Sequence, residues 1–142
     1  MLSLLLALMA AEPSAQAARM NDILAVGAHN SYKAAIPADE MKAMLAAAGQ
    51  GALGLDYSHR PLAEELDAGA RQLEIDVLND PDPGRYAEPL ARRLVPETEP
   101  YDVAPLRRPG LKVLHVQDVD YRSSCPLFVE CLTQVATWSQ AN

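Results

Sequence analysis

The chain has 142 residues, 49% of them hydrophobic, which suffices for one globular domain with a sizeable core and argues against disorder. Its 12 Lys and Arg stand against 19 Asp and Glu, a formal charge of -7 with no cationic run, so nucleic acid is excluded as an expected partner. The same acidity gives no broad attraction to anionic lipid, so any membrane encounter is expected to be transient or cation-dependent.

The chain opens with Met1-Leu-Ser-Leu-Leu-Leu-Ala-Leu-Met-Ala10, an apolar run too short to span a bilayer. Ala15-Gln16-Ala17 then offers a small-residue cleavage site, so residues 1–17 read as a secretory signal peptide and residues 18–142 as the mature chain, secreted or periplasmic. The n-region lacks Lys and Arg, which leaves a buried N-terminal helix as the alternative. In an exported chain, Cys125 and Cys131 can form a disulfide, the alternative being two buried thiols.

Ile23-Leu-Ala-Val-Gly27 is a short apolar run expected as a buried strand that delivers His29 and Asn30 at its C-terminal end. Asp39–Ala48 carries helix formers, an acidic start and Gly49 beyond its end, which predicts a helix, followed by a Gly-rich turn. Pro61 suits a first helical position, and Leu62, Glu65, Leu66 and Ala70 continue a short amphipathic helix. In Gln72-Leu-Glu-Ile-Asp-Val-Leu78 the period of two sets Leu73, Ile75 and Val77 on one face of a strand and Glu74 and Asp76 on the other. Residues 81–110, rich in Pro and charge, predict a long irregular loop. Lys112-Val-Leu-His-Val116 reads as a third strand, and Cys125–Ser139 as an amphipathic closing helix. The order is that of a parallel α/β sheet.

Such sheets present reactive groups at the C-terminal ends of their strands, where this sequence carries His29, Asn30, Glu74, Asp76 and His115. Two carboxylates and an amide oxygen form a hard donor set of the kind calcium prefers. Two imidazoles can divide general-base and general-acid work near neutral pH. Together they point to metal-assisted cleavage of a phosphodiester. Each piece alone is weak: a strand-end His is more often structural, and Glu-x-Asp on a strand is more often a solvated face.

Four blocks carry a resemblance: Gly27-Ala-His-Asn-Ser-Tyr32, Leu55-Asp-Tyr-Ser-His-Arg-Pro-Leu62, Leu66-Asp-Ala-Gly-Ala-Arg-Gln-Leu-Glu-Ile-Asp-Val77 and Val113-Leu-His-Val-Gln-Asp-Val-Asp-Tyr-Arg-Ser123. In this order they resemble the bacterial calcium-dependent phosphatidylinositol-specific phospholipase C family of the PLC-like phosphodiesterase superfamily. The resemblance implies an α/β fold, a partial TIM (β/α) barrel comprising roughly the first three strands and their helices. A whole barrel takes about 250 residues, so further strands, with another calcium ligand and much of the inositol pocket, belong to the family pattern beyond this stretch. It further implies that His29 is the general base, His115 the general acid, and Asn30, Glu74 and Asp76 the ligands of Ca2+. Arg71 either supports the substrate phosphate or pairs with a carboxylate. His59, Asp118 and Asp120 are expected as packing, capping or loop residues. The implied partner is a phospholipid or phosphodiester substrate at a membrane surface, with no stable protein partner. Gly69–Val77 also resembles glycerophosphodiester phosphodiesterases, although those open with His-Arg-Gly where this chain has His29-Asn-Ser. A secreted calcium-binding remnant without turnover is the remaining alternative.

Overall fold

The computed structural model describes residues 19–142; the expected leader lies outside the described residues. Two short strands, β1 (Gly27–Ala28) and β2 (Gln72–Leu73), pair in parallel, Gly27 opposite Gln72 and Ala28 opposite Leu73. Between them run helices α1 (Ala38–Ala48) and α2 (Leu62–Asp67), and after them come α3 (Leu90–Leu94) and α4 (Phe128–Ala141).

Helix α1 starts after Pro37, carries Asp39 and Glu40 in its first turn, where carboxylates favour the helix dipole, and ends at Gly49. Gly49 has φ of 68°, the left-handed conformation that stops a helix without strain only when no Cβ is present. Pro61 is the N-cap of α2. Helix α4 packs Phe128 and Val135 against a core of Tyr32, Leu62, Val113 and the Cys125–Cys131 disulfide, to which Leu73 and Ile75 also contribute. Trp138 on α4 donates its indole N–H to Asp67 at 2.7 Å, tying it to α2. None of the described helices is long and apolar enough to cross a membrane.

Three expectations are corrected. The run Ile23–Gly27 is not a buried strand: Met20–Asp22 form a 3-10 turn, Ile23, Leu24 and Val26 are exposed, and pairing begins only at Gly27. An apolar run encodes a preference for burial but not the element that would cover it. In Gln72–Leu78 only the first two residues join the parallel pair; Leu78 instead exchanges both backbone hydrogen bonds with Lys112, antiparallel, at 2.8 and 3.0 Å. The third strand is likewise reduced to bridges: Lys112 pairs antiparallel with Leu78 and with Leu127, the Val113 N–H donating to the Pro126 carbonyl and the Phe128 N–H to the Leu111 carbonyl.

The loop of residues 81–110 contains structure of its own, α3 and a 3-10 turn at Ala104–Arg107. Its ends are clamped. Asp80 before it and Lys112 after it form an ion pair of 2.9 Å in which both side chains are fully buried. Inside the clamp, Ala87, Leu106 and Leu114 make a second core with Leu78, Tyr86, Tyr101 and Val103 packed against it.

Candidate active site

β1 ends at Ala28, and the next residues turn sharply because Asn30 adopts φ of 56°, a left-handed conformation that Asn tolerates better than most residues. The turn aims the Asn30 backbone N–H at Glu74 Oε2, 2.6 Å away. It also leaves Asn30 buried, its Nδ2 donating to the Tyr57 hydroxyl at 2.7 Å and its Oδ1 3.2 Å from the Tyr32 hydroxyl. The Ser31 N–H donates to the Glu74 carbonyl and the Glu74 N–H to the Ala28 carbonyl, so the register of the β1–β2 pair continues into the site.

On the β2 side the period of two operates as expected over four residues: Leu73 and Ile75 pack on the core while Glu74 and Asp76 face the turn. Val77 breaks the pattern and is exposed. His29, itself exposed, places Nδ1 3.2 Å from Glu74 Oε2, and Asp76 Oδ2 accepts from the Tyr32 hydroxyl at 2.9 Å. Burial first, then the bond to Asp76 and the charges of Asp76, Glu74 and Asp120, push the Tyr32 phenol far above its ordinary value, so it stays a donor. Four of the residues singled out by sequence are therefore brought together: His29, Asn30, Glu74 and Asp76.

His115 enters through a second carboxylate. Its Nδ1 is 2.8 Å from Asp120 Oδ2, and the same oxygen is 3.3 Å from Lys33 Nζ. Lys33 is buried, donates to the carbonyls of Leu55 and Tyr57 at 3.0 and 2.6 Å, and lies 4.5 Å from the Tyr57 ring centroid. Contacts thus run unbroken from His115 through Asp120, Lys33, Tyr57 and Asn30 to Glu74 and His29.

Asp120, Lys33, Tyr32 and Tyr57 are the site residues that sequence reasoning missed. All four lie within or beside the recognised blocks, and that position was the available signal. His59, expected to be structural, pairs its Nδ1 with Glu65 Oε1 at 2.6 Å on α2. Arg71 is engaged elsewhere: its guanidinium donates to the Leu66 and Ala70 carbonyls at 2.8 and 2.7 Å and stacks on Trp138, 5.0 Å from the ring centroid. Those contacts support the structural role for Arg71, without a carboxylate.

Among the described residues no cluster of three or more His, Cys, Asp or Glu forms a metal site. Asn30, Glu74 and Asp76 nevertheless fit calcium in kind, since Asn30 Oδ1 and Asp76 Oδ2 both converge on the Tyr32 hydroxyl while Glu74 Oε2 abuts the Asn30 backbone. They would supply three of the six to eight oxygens the ion takes.

The C-terminal ends of the parallel strand pair gather one imidazole, two carboxylates and an amide, and a chain of contacts leads from them to a second imidazole, His115. The family model for phosphoinositide phospholipase C, Ca2+-dependent, matches residues 18–142, and the chain belongs to that family. No curated protein and no solved structure matched the chain.

Proposed function

We propose that the protein cleaves phosphatidylinositol-type lipids at the phosphodiester, releasing diacylglycerol. The observation that carries this reading is the shared carboxylate: Glu74 Oε2 meets both the His29 ring, at 3.2 Å, and the Asn30 backbone, at 2.6 Å, so the base and the oxygen-donor set are one unit. With Nδ1 turned to Glu74, His29 Nε2 is free to take the proton of the inositol 2-hydroxyl. That oxygen attacks phosphorus and the bond to the glycerol oxygen breaks. His115, its Nδ1 held by Asp120, gives the Nε2 proton to the departing oxygen, so one proton is taken and one returned. Calcium held by Asn30, Glu74 and Asp76 would supply positive charge against the phosphoryl oxygens and ease deprotonation of the attacking hydroxyl.

The placement of the site beyond the C-terminal ends of two parallel strands supports reading the fold as the first part of a (β/α) barrel. The Cys125–Cys131 bridge supports a secreted or periplasmic location, where disulfides persist. The test is an assay of the chain on phosphatidylinositol vesicles and on glycerophosphodiesters, with calcium and with a chelator. Calcium-dependent release of diacylglycerol that is lost in His29→Ala is expected. Cleavage of glycerophosphodiesters alone, or calcium binding without any turnover, overturns the reading.

A further inference from the structure

A cavity of about 390 Å³ opens between α1, the 3-10 turn Gly49–Leu55 that follows it and α3. Its wall is apolar, formed by Met44, Leu55, Leu90, Leu94, Val95 and Val119 together with alanines of α1. The one charged residue on its lining, Glu40, directs Oε1 to Arg122 at 3.0 Å and to the hydroxyls of Thr98 and Tyr121, both at 2.9 Å. A concave apolar space of this size is suited to a small apolar ligand.

The cavity shares its wall with the loop that carries the acid. Val119 immediately precedes Asp120, the carboxylate on His115, and the Leu55 carbonyl accepts from Lys33, the ammonium paired with the same Asp120. Helix α3 hangs from that loop as well: Asp118 Oδ1 accepts from the Leu90 N–H at 3.1 Å and the Asp118 carbonyl from the Ala91 N–H at 2.8 Å. The leaving group that His115 protonates is the glycerol oxygen, and the acyl chains are attached to the same glycerol.

We infer that this cavity is an acyl subsite, which receives one fatty-acyl chain of the substrate and of the diacylglycerol product. The inference rests on the proposed reaction, which assigns the leaving group to the His115 side. A chain taken from a bilayer changes one apolar setting for another, so the subsite acts by positioning the glycerol oxygen beside His115.

Two variants narrow the cavity from α1: Ala47→Phe and Ala43→Leu, each verified as folded by circular dichroism. Turnover is measured on monomeric dihexanoyl phosphatidylinositol and on glycerophosphoinositol, which has no acyl chain, and binding of dioctanoylglycerol is measured by calorimetry without turnover. Either variant is expected to lower kcat/KM on the dihexanoyl lipid about tenfold, the scale of a steric mismatch in an apolar pocket, and to leave glycerophosphoinositol unaffected. Dioctanoylglycerol binding is expected to weaken in parallel. Equal loss on both substrates, or wild-type turnover and binding in both variants, overturns the subsite. If the wild-type chain turns over neither substrate, the proposed reaction falls, and the binding measurement alone still decides whether the cavity holds an acyl chain.

Discussion

Asp120 stands between His115 and Lys33, its Oδ2 2.8 Å from the imidazole Nδ1 and 3.3 Å from the ammonium. The side chains of Asp120 and Lys33 are fully buried, whereas that of His115 keeps partial access to solvent. Burying a charge is costly unless it is paired, and the Lys33 ammonium is the opposite charge set against Asp120 beneath His115.

Asp120→Asn keeps a hydrogen-bond acceptor for Nδ1 but removes the charge. The expected outcome is a fall in kcat of about 10²-fold with little change in KM, since His115 gives its proton to the departing oxygen in the transition state and not on substrate binding. Lys33→Met leaves Asp120 buried without its counter-charge and is expected to cost about 3–5 kcal/mol of stability. Steady-state kinetics with denaturant unfolding reads both; an Asp120→Asn enzyme with unchanged kcat refutes the positioning role.

The clamp around residues 81–110 gives stability a specific acid dependence. Burial alone pushes the Asp80 carboxyl up, but the Lys112 ammonium and the Gly84 and Arg85 N–H groups outweigh it and hold it below its ordinary 3.8. With the folded value depressed, the unfolded chain takes the proton first. The stabilisation is complete above the unfolded value and drains away as pH falls through the folded one. Thermal unfolding followed below about pH 4 is expected to show that loss, with the Asp80 share of it absent in Asp80→Asn.

Three of the five tyrosines, Tyr32, Tyr101 and Tyr121, have phenols pushed above the ordinary 10.0, burial being the first cause in each and bonds to Asp76 and Glu40 adding to it for Tyr32 and Tyr121. Their raised values mean that the fold keeps protons the unfolded chain gives up. Their contribution is therefore complete below pH 10.0 and declines as pH rises above it. Phenolate absorbance is expected to fall short of the five-tyrosine amplitude while the native circular dichroism persists, and to reach it on unfolding. Full amplitude in the native state contradicts the buried donor role of Tyr32.

The Cys125–Cys131 bridge closes a short loop beside the Tyr32–Leu62–Val113 core, with a sequence separation of 6. For a loop this short, constraint of the unfolded chain is worth about 2 kcal/mol. The double Cys125→Ser, Cys131→Ser variant is expected to lose roughly that much. Denaturant midpoints of variant and wild type measure it, and equal midpoints count against the estimate.

Helices α1 and α2 were legible from their ends, where Gly49 stops α1 and Pro61 precedes α2, and α4 from the helical spacing of its apolar residues. Glu74 and Asp76 were legible as a pair because alternation in an extended segment needs no tertiary information. What escaped was whatever depends on a distant partner. Lys33 and Lys112 look like surface residues until Asp120 and Asp80 are placed against them in the core. Asp120 itself looks like a loop carboxylate until His115, five residues earlier, turns back to meet it. Ile23 and Leu24 erred the other way, since an apolar run carries no record of which surface is left uncovered.

The central claim, that His29 and His115 serve one phosphodiester from opposite ends of the reaction, is tested most directly by changing the leaving group. Wild type, His29→Ala and His115→Ala are compared on phosphatidylinositol and on an inositol phosphodiester that expels nitrophenolate, a leaving group with little need of a proton. The account predicts that His29→Ala loses both activities, while His115→Ala loses about 10²- to 10⁴-fold on the lipid and far less on the nitrophenyl ester. Equal losses on both substrates in His115→Ala, or undiminished lipid cleavage, would contradict it.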